Sequence, residues 1–563
     1  MRKADPSGRH VLRQAVGGQR RDITVGAVTG MGHQAGEALV PVLIGVAIDR
    51  GVAADDLPVL LLWLGVLAVV YVGLSYGFRI GARAGERASV TAAHELRARL
   101  TGRVLAPEGG ADHGRLPGEL ANIATEDARR VGAVAMAVVV AVSATAGLLV
   151  GAVVLLRVSV PLGLLVLLGT PLLLWLGHLL GRPLEHRSAT EQERAGHASG
   201  IAADLVAGLR VLKGIGAESA AVTRYRRISQ DSLSATLRAA RAEAWQKGVV
   251  AILTGAFLAL VALVGGRLAA QGDISLGELV SSVGLALFLI GPLSEFAWVN
   301  AELAQGRASA AHIAAVLDAE DAVPPGPPPT DRHFTGRVHL RALSYGTLRG
   351  VGLDIAPGET VGVVTTDPAD ADALLRLLAR RADPDDGTVE LDGTPLTDLP
   401  LTDVRAAILV AAHDADLFEG TLLENVTAAA APRKVPAALA AASADEVVRA
   451  LPDGADTQVG SGGRSLSGGQ RQRVALARAL AADPPVLVAH EPATAVDAVT
   501  ESQIAAGIRA VRTGRTTVLV TNSPALLAAT DRVVLLAGGR VAATGEHQRL
   551  LHECADYRTV VLT

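Results

Sequence analysis

The chain has 563 residues, enough for two to four domains, and half of them are hydrophobic, with a mean hydropathy of +0.36. That balance makes membrane spans the first thing to test, and a net charge of only -4 argues against a nucleic-acid partner. The single cysteine, Cys554, excludes an internal disulfide and fits a reducing compartment.

Residues 1–22 hold Arg2, Lys3, Arg9, Arg13, Arg20 and Arg21 and read as a basic cytosolic tail. The apolar stretch that follows is too long for a signal-peptide core and lacks a clean cleavage site. It is the first of six stretches long enough to span a bilayer, near 23–49, 57–80, 134–157, 160–181, 247–269 and 277–300. Three connections are short: "DRGVAADDLP", "RVSVP" and "RLAAQGDIS". The segments 81–133 and 182–246 are long and rich in Arg. The positive-inside bias places these long segments and both termini in the cytosol, at the plasma membrane. Both keep helical periodicity with few breakers, which predicts membrane helices extended well beyond the lipid. The Arg- and Ala-rich usage is that of a GC-rich bacterial genome.

Polar residues interrupt two of the spans. His33 and Glu37 are four apart and share one helical face. Glu295 and Asn300 lie in the last span, beside Pro292. Ionisable groups inside a membrane usually face a cavity or partner, so these four are candidates to line a substrate path. An interfacial or cytosolic position for some of them remains equally open.

The membrane region, 23–319, ends at a proline-rich linker, 320–332, where five prolines favour an extended chain. Beyond it, over 333–563, short Val-rich strands ("TVGVV", "VLVAH", "TTVLVT", "RVVLLAGGRV") alternate with Ala/Leu/Arg helices. That is α/β patterning with a mostly parallel sheet. The strongest motif is "LSGGQRQRVALARAL", 466–480. Leu466, Ser467, Gly468, Gly469 and Gln470 open a helix whose N-terminal N–H groups favour an anion.

With this motif the chain resembles an ATP-binding cassette (ABC) exporter half-transporter, six membrane helices fused to one P-loop-type nucleotide-binding domain. The resemblance implies use of ATP and Mg²⁺. It implies that 205–218 ("LVAGLRVLKGIGAE") carries a coupling segment and that 417–426 ("LFEGTLLENV") receives one. Tyr345 matches the aromatic residue that stacks on adenine, though a core tyrosine fits as well. Asp497 matches the D-loop position, and Glu491 the general base.

Several positions depart from the family pattern. The phosphate-loop frame should be glycine-rich and end in Lys-Ser/Thr, but it reads "TTDPADADA", 365–373. Thr365 opens this frame, Ala371 replaces the lysine, and Asp372 replaces the hydroxyl that would hold Mg²⁺. Asp367 and Asp370 add negative charge, and Pro368 removes a donor. His413 replaces the Q-loop glutamine, His490 the Walker B aspartate, and Asn522 the switch histidine. His413, His490 and these aspartates are not read as a metal site.

The lost residues would all serve ATP bound by this chain, whereas LSGGQ would serve ATP held by another subunit. The pattern therefore predicts one half of a heterodimeric exporter, paired with a half-transporter whose Walker motifs are intact. Its substrate, whether small molecule, lipid or peptide, is not legible, and membrane lipid is its surroundings. Two alternatives stay open: an ATP-independent scaffold or regulatory membrane protein, and a subunit that senses ATP without hydrolysing it.

Overall fold

The computed structural model describes residues 6–328, 332–413, 416–428, 430 and 432–562. Arg2 and Lys3 of the expected tail, and residues 329–331 of the linker, lie outside the described residues. The chain forms two compact units. One comprises the residues up to Thr101 and Arg115–Asp318; the other comprises Gly102–Gly114 and the chain from Ala319 onward.

The first unit is helical: α1 (Pro6–Gly18), α2 (Arg20–Ala47), α3 (Leu57–Val104), α4 (Pro117–Asn122), α5 (Ala128–Val158), α6 (Val160–Ala207), α7 (Leu209–Gly214), α8 (Glu218–Gln271) and α9 (Leu276–Leu317). The segment expected as a basic tail is thus largely helix α1, which buries Val11 and Ala15. α7 falls inside the predicted coupling segment.

Among the described residues, five stretches are long and apolar enough to cross a bilayer: Leu57–Val104, Pro117–Val158, Val160–Gly177, Glu218–Gln271 and Leu276–Leu317. The sequence predicts six, and α2 is the one that falls short. Its 28 residues include His33, Gln34 and Glu37 and glycines at 26, 30, 32, 36 and 45. It is long enough to span, but polar groups and glycines lower its hydropathy.

Those glycines fit α2 to its neighbours. A Cβ at Gly26 would stand 3.1 Å from the Val139 side chain of α5, and Gly45 abuts Gly277 and Ser281 of α9. Small residues let membrane helices approach closely. Just beyond α2, Asp49 accepts from the Gly277 N–H at 2.7 Å and from the Ser275 hydroxyl at 2.5 Å. It neutralises the start of α9, where Ser275 and Glu278 also form a capping box.

The described residues of the second unit include twelve strands. β1 (Val338–Tyr345), β2 (Leu348–Ile355), β4 (Asp386–Leu391) and β5 (Thr394–Pro395) form an antiparallel sheet in the order β2-β1-β4-β5. β3 (Thr360–Thr365), β6 (Ile408–Ala411), β9 (Val486–His490), β10 (Thr516–Val520), β11 (Arg532–Ala537) and β12 (Arg540–Gly545) form the main sheet in the order β12-β11-β3-β10-β9-β6. β7 (Gly420–Thr421) and β8 (Gln458–Val459) pair separately. In the main sheet only β12 runs antiparallel, because "RVVLLAGGRV" turns back at Gly538 and Gly539, both with positive φ. The parallel strands are buried on both faces, hence their runs of Val and Leu.

The helices of this unit are α10 (Pro368–Leu378), α11 (Leu401–Ala407), α12 (Leu422–Thr427), α13 (Val435–Ala441), α14 (Ala444–Ala450), α15 (Gly468–Ala482), α16 (Ala498–Val511), α17 (Pro524–Ala528), α18 (His547–Glu553) and α19 (Ala555–Leu562).

The segment 102–114 was expected inside the membrane region but packs within the second unit. Arg103 donates to the Ala319 carbonyl at 2.6 Å and to Asp321 at 2.8 Å, and Ala322 N–H donates to the Glu108 carbonyl. The helix breaks here because Pro107, Gly109, Gly110 and Gly114 interrupt it, the three glycines having positive φ.

Asp483 ties the unit together. It ends α15 in the left-handed region at φ +45° and meets Lys434 at 2.6 Å, Arg512 at 3.0 Å and Arg515 at 3.4 Å. Arg512 is 2% exposed, and burial pulls its guanidinium down to about 10 despite the attraction of Asp483. Asp483→Asn keeps a residue that tolerates this backbone but strands a buried cation. It should destabilise the unit by about 3 kcal/mol or more. Thermal unfolding of the purified chain checks this, and an unchanged midpoint would remove Asp483 from that role.

Candidate functional site

The carboxyl ends of β3, β9 and β10 lie at one edge of the main sheet, because β10 pairs in parallel register with both neighbours. Val520 stands opposite His490 on one side and Val363 on the other. This edge is where α/β sheets commonly bind ligands.

The turn after β3 is short. The strand ends at Thr365 and α10 begins at Pro368, so two residues replace an open loop. Asp367 is the N-cap, and its carboxylate accepts the Ala369 N–H at 2.9 Å. The anion position of this helix is therefore filled by the chain's own carboxylate. Asp370 is turned inward, 2% exposed, and accepts the Gly539 N–H at 3.2 Å. Ala371 is 3% exposed, in the same core as Val361 and Val363. Asp372 points outward and pairs with Arg376 at 2.9 Å. The three aspartates of this frame thus have three different partners. The turn carries neither glycine nor lysine, and the start of its helix is capped by Asp367.

His413 and His490 come together, with ring centroids 5.1 Å apart and nearly perpendicular. They line a cavity of about 460 Å³ with Gln472 and Arg478, whose guanidinium lies 5.4 Å over the Phe418 ring. Among the described residues no three His, Cys, Asp or Glu side chains gather as a metal site. Tyr345 is half-buried against the core of the unit and pairs with Leu348 across a hairpin.

Glu491 follows β9 with φ +45°, an uncommon conformation for a glutamate. Its carboxylate accepts the Thr521 hydroxyl at 2.9 Å and the Asn522 N–H at 3.1 Å. Glu491 and the Asn522 backbone are thus joined by a hydrogen bond.

α15 keeps an open start. Ser467 caps it, and Ser467 and Gln470 form a capping box. Leu466 is buried beneath, while Ser467 and Gly468 are exposed. A Cβ at Gly468 would meet no described atom within 4 Å, whereas one at Gly469 would stand 2.5 Å from the Ala495 carbonyl oxygen. The two glycines therefore have different tasks: Gly469 permits packing, and Gly468 leaves space. Asp497 caps α16, and hydrogen bonds from the Thr500 N–H and hydroxyl hold its carboxyl below the usual carboxylate range.

Sequence reasoning missed Gln472. It donates to the Glu491 carbonyl at 2.8 Å and the Thr494 hydroxyl at 3.0 Å, and accepts the Ala495 N–H at 2.9 Å. It joins the signature helix to the segment after β9. Its position two residues beyond Gln470 was the available signal.

In the membrane unit, His33, Glu37 and Glu295 line one cavity of about 190 Å³ with Gln34, a fourth residue the sequence did not single out. Asn300 is exposed and is not among the described lining residues.

A multi-pass helical domain followed by an α/β domain with a glycine-opened signature helix defines a membrane protein built around a nucleotide-type fold. The family profile of the ABC transporter transmembrane region matches residues 23–293, and that of the ABC transporter matches 348–494. An ATP-dependent lipid A-core flippase from Thiobacillus denitrificans is 32% identical over 407 residues, 70% of each chain. A multidrug efflux ATP-binding/permease protein from Mycobacterium bovis is 31% identical over 552 residues, 96% of this chain. The chain spans about half the length of that relative, 46%. A bacterial Atm1-family ABC exporter with ATP bound has the same fold, at a TM-score of 0.74 and 24% identity over 98% of this chain and 99% of that one. The chain belongs to the ABC transporter family, as a multi-pass membrane protein with fused transmembrane and nucleotide-binding domains.

The contrast between the two glycines is testable. Gly469→Ala should lower stability by about 1–3 kcal/mol through overpacking. Gly468→Ala should leave the thermal midpoint unchanged. Differential scanning calorimetry of both variants reads the difference, and equal losses would refute the division of tasks.

Proposed function

We propose that this chain is one half of a heterodimeric, ATP-driven exporter. In this reading it supplies half of the translocation path and the signature face for ATP held by a partner subunit, while its own Walker position is catalytically silent. The carrying observation is the asymmetry between two helix starts. α10 is closed by Asp367, whereas α15 leaves open space at Gly468.

The chemistry follows from the residues. Ser467 accepts from Gln470 within the helix start, and its own hydroxyl proton remains to be donated outward. The first N–H groups of α15 have no carbonyl within the helix, and the helix dipole favours negative charge there. Gly468 adds no side chain between them and a phosphate. The partner must then hold ATP and Mg²⁺ with an intact Walker A, Walker B and switch histidine. Glu491 would have no water to activate, because no triphosphate sits before it. His33, Glu37 and Glu295 would lie on the substrate path, with both termini cytosolic. The match to 46% of the mycobacterial relative's length suits one half of a two-part machine.

Two measurements test this. Calorimetry on the full chain alone should detect no Mg·ATP binding, and Ala371→Lys should not restore it, since residue 371 is buried and Asp367 still caps the helix. Micromolar binding by the unaltered chain would instead make it an ATP-sensing subunit. In a reconstituted heterodimer, Gly468→Asp should cut ATPase turnover by about a hundred- to a thousand-fold, the scale of one lost transition-state contact. Glu491→Gln in this chain should change the rate little, while the matching glutamate change in the partner should abolish it. If Glu491→Gln silences the complex and Gly468→Asp does not, the assignment of faces is reversed.

A further inference from the structure

The cavity of about 190 Å³ in the membrane unit has an unusual inventory for an apolar setting. Its lining includes two carboxylates, Glu37 and Glu295, and among its described lining residues there is neither lysine nor arginine. His33 is the one titratable base among those described lining residues. Its Nδ1 lies 3.0 Å from the Leu74 carbonyl oxygen, which makes Nδ1 the protonated nitrogen. Nε2 then faces Glu37 at 3.7 Å as an acceptor whenever the ring is neutral.

Gln34 supplies the second observation. It is 8% exposed, its side chain lines the cavity, and Nε2 donates to both oxygens of Glu295 at 3.4 and 3.3 Å. Its Oε1 is buried and has no partner among the described residues. An orphaned buried acceptor is costly. With Nε2 engaged on Glu295, Oε1 is the atom of Gln34 left to accept from a bound donor. The polar groups therefore share one deficiency, which is N–H donors carrying positive charge.

The surroundings define the rest of the ligand. Phe78, Met136, Val139 and Val140 complete the cavity wall. A second cavity of about 510 Å³ shares His33, Glu37 and Phe78 and is walled by Tyr71, Leu74 and Phe288. A charged head in the first cavity can thus lay an apolar chain along the second.

We propose that this cluster binds a protonated primary or secondary amine carrying an apolar chain. Glu37 and Glu295 take its charge, and Gln34 and His33 accept its N–H groups. The inference deepens the transport reading, because it names the substrate class for the path that reading assigns to these residues. A quaternary ammonium offers charge without N–H groups, and an alcohol offers a hydroxyl without charge. A site built on hydrogen bonds should reject both.

The test uses the full chain alone in nanodiscs of zwitterionic lipid at pH 7, with protein-free discs subtracted. The probes are octylamine, octyltrimethylammonium and octanol. An alkylamine titrates near lysine, about 10.4, so it enters as the cation. Octylamine should bind about tenfold or more tightly than either analogue, and Glu295→Gln should erase that preference. Glu37→Gln, at a half-exposed position, gives a second variant should Glu295→Gln misfold, and thermal unfolding shows which variants are intact. Equal binding of octylamine and octyltrimethylammonium, equal binding of octylamine and octanol, or a preference that survives in a folded variant would each overturn the proposal. The transport reading fails separately. If octylamine binds but the reconstituted heterodimer moves no substrate on ATP, the site stands and that reading falls. If the heterodimer transports but octylamine does not bind, the reverse holds.

Discussion

The start of an α-helix presents N–H groups without partners and a partial positive charge, and something must answer both. The second unit depends on how its sheet edge meets that requirement. At α10 the answer comes from within, as Asp367 folds back onto Ala369. At α16 it is Asp497, which holds Val499 and Thr500. At α15 Ser467 satisfies only one N–H, that of Gln470, and glycine follows. The same physical demand, met three ways, separates helix starts answered by a carboxylate from one answered by a hydroxyl with open space beside it. Parallel pairing of β9, β10 and β3 sets the strands whose ends carry the first of these starts, Glu491 and Asn522 along one edge.

Much of this was legible in the sequence because it rests on local signals. Val-rich runs of five or six residues became the buried strands β3, β9 and β10 with bounds close to those read from the text. The glycine pair that splits β11 from β12 was visible as "AGG" but had been read within one strand. The long helices followed their apolar runs, whereas α2 did not reach the same hydropathy. The polar residues that suggested a functional face are also those that weaken its signal as a span.

Other features depend on distance in space, which a sequence does not print. Nothing in "APEGGADHG" announces that residues 102–114 join the unit that begins more than two hundred residues later, through Arg103, Glu108 and Asp321. The directions of Asp370 and Asp372 are likewise tertiary facts, set by Gly539 and Arg376. Gln34 was passed over because the reading followed the i, i+4 face of His33 and Glu37. Its meaning lies in a carboxylate 261 positions away. Gln472 was passed over because the glycines of its motif drew the chemical argument, although it joins that motif to Glu491 and Ala495.

The glycine-lined surface of α2 also bears on how the protein is made. A segment with His33, Gln34, Glu37, Pro41 and five glycines gains little from lipid on its own, since polar side chains resist transfer into hydrocarbon. What holds it is contact: Gly26 against Val139, Gly45 against Gly277, and Asp49 on the start of α9. Most of those partners are translated long after α2 leaves the ribosome, the α9 residues more than two hundred positions later. The nascent chain therefore carries α2 through the synthesis of α3 to α8 before its contacts on α9 exist. Those contacts are complete only once α9 has been made, with residues 319 onward still to be translated.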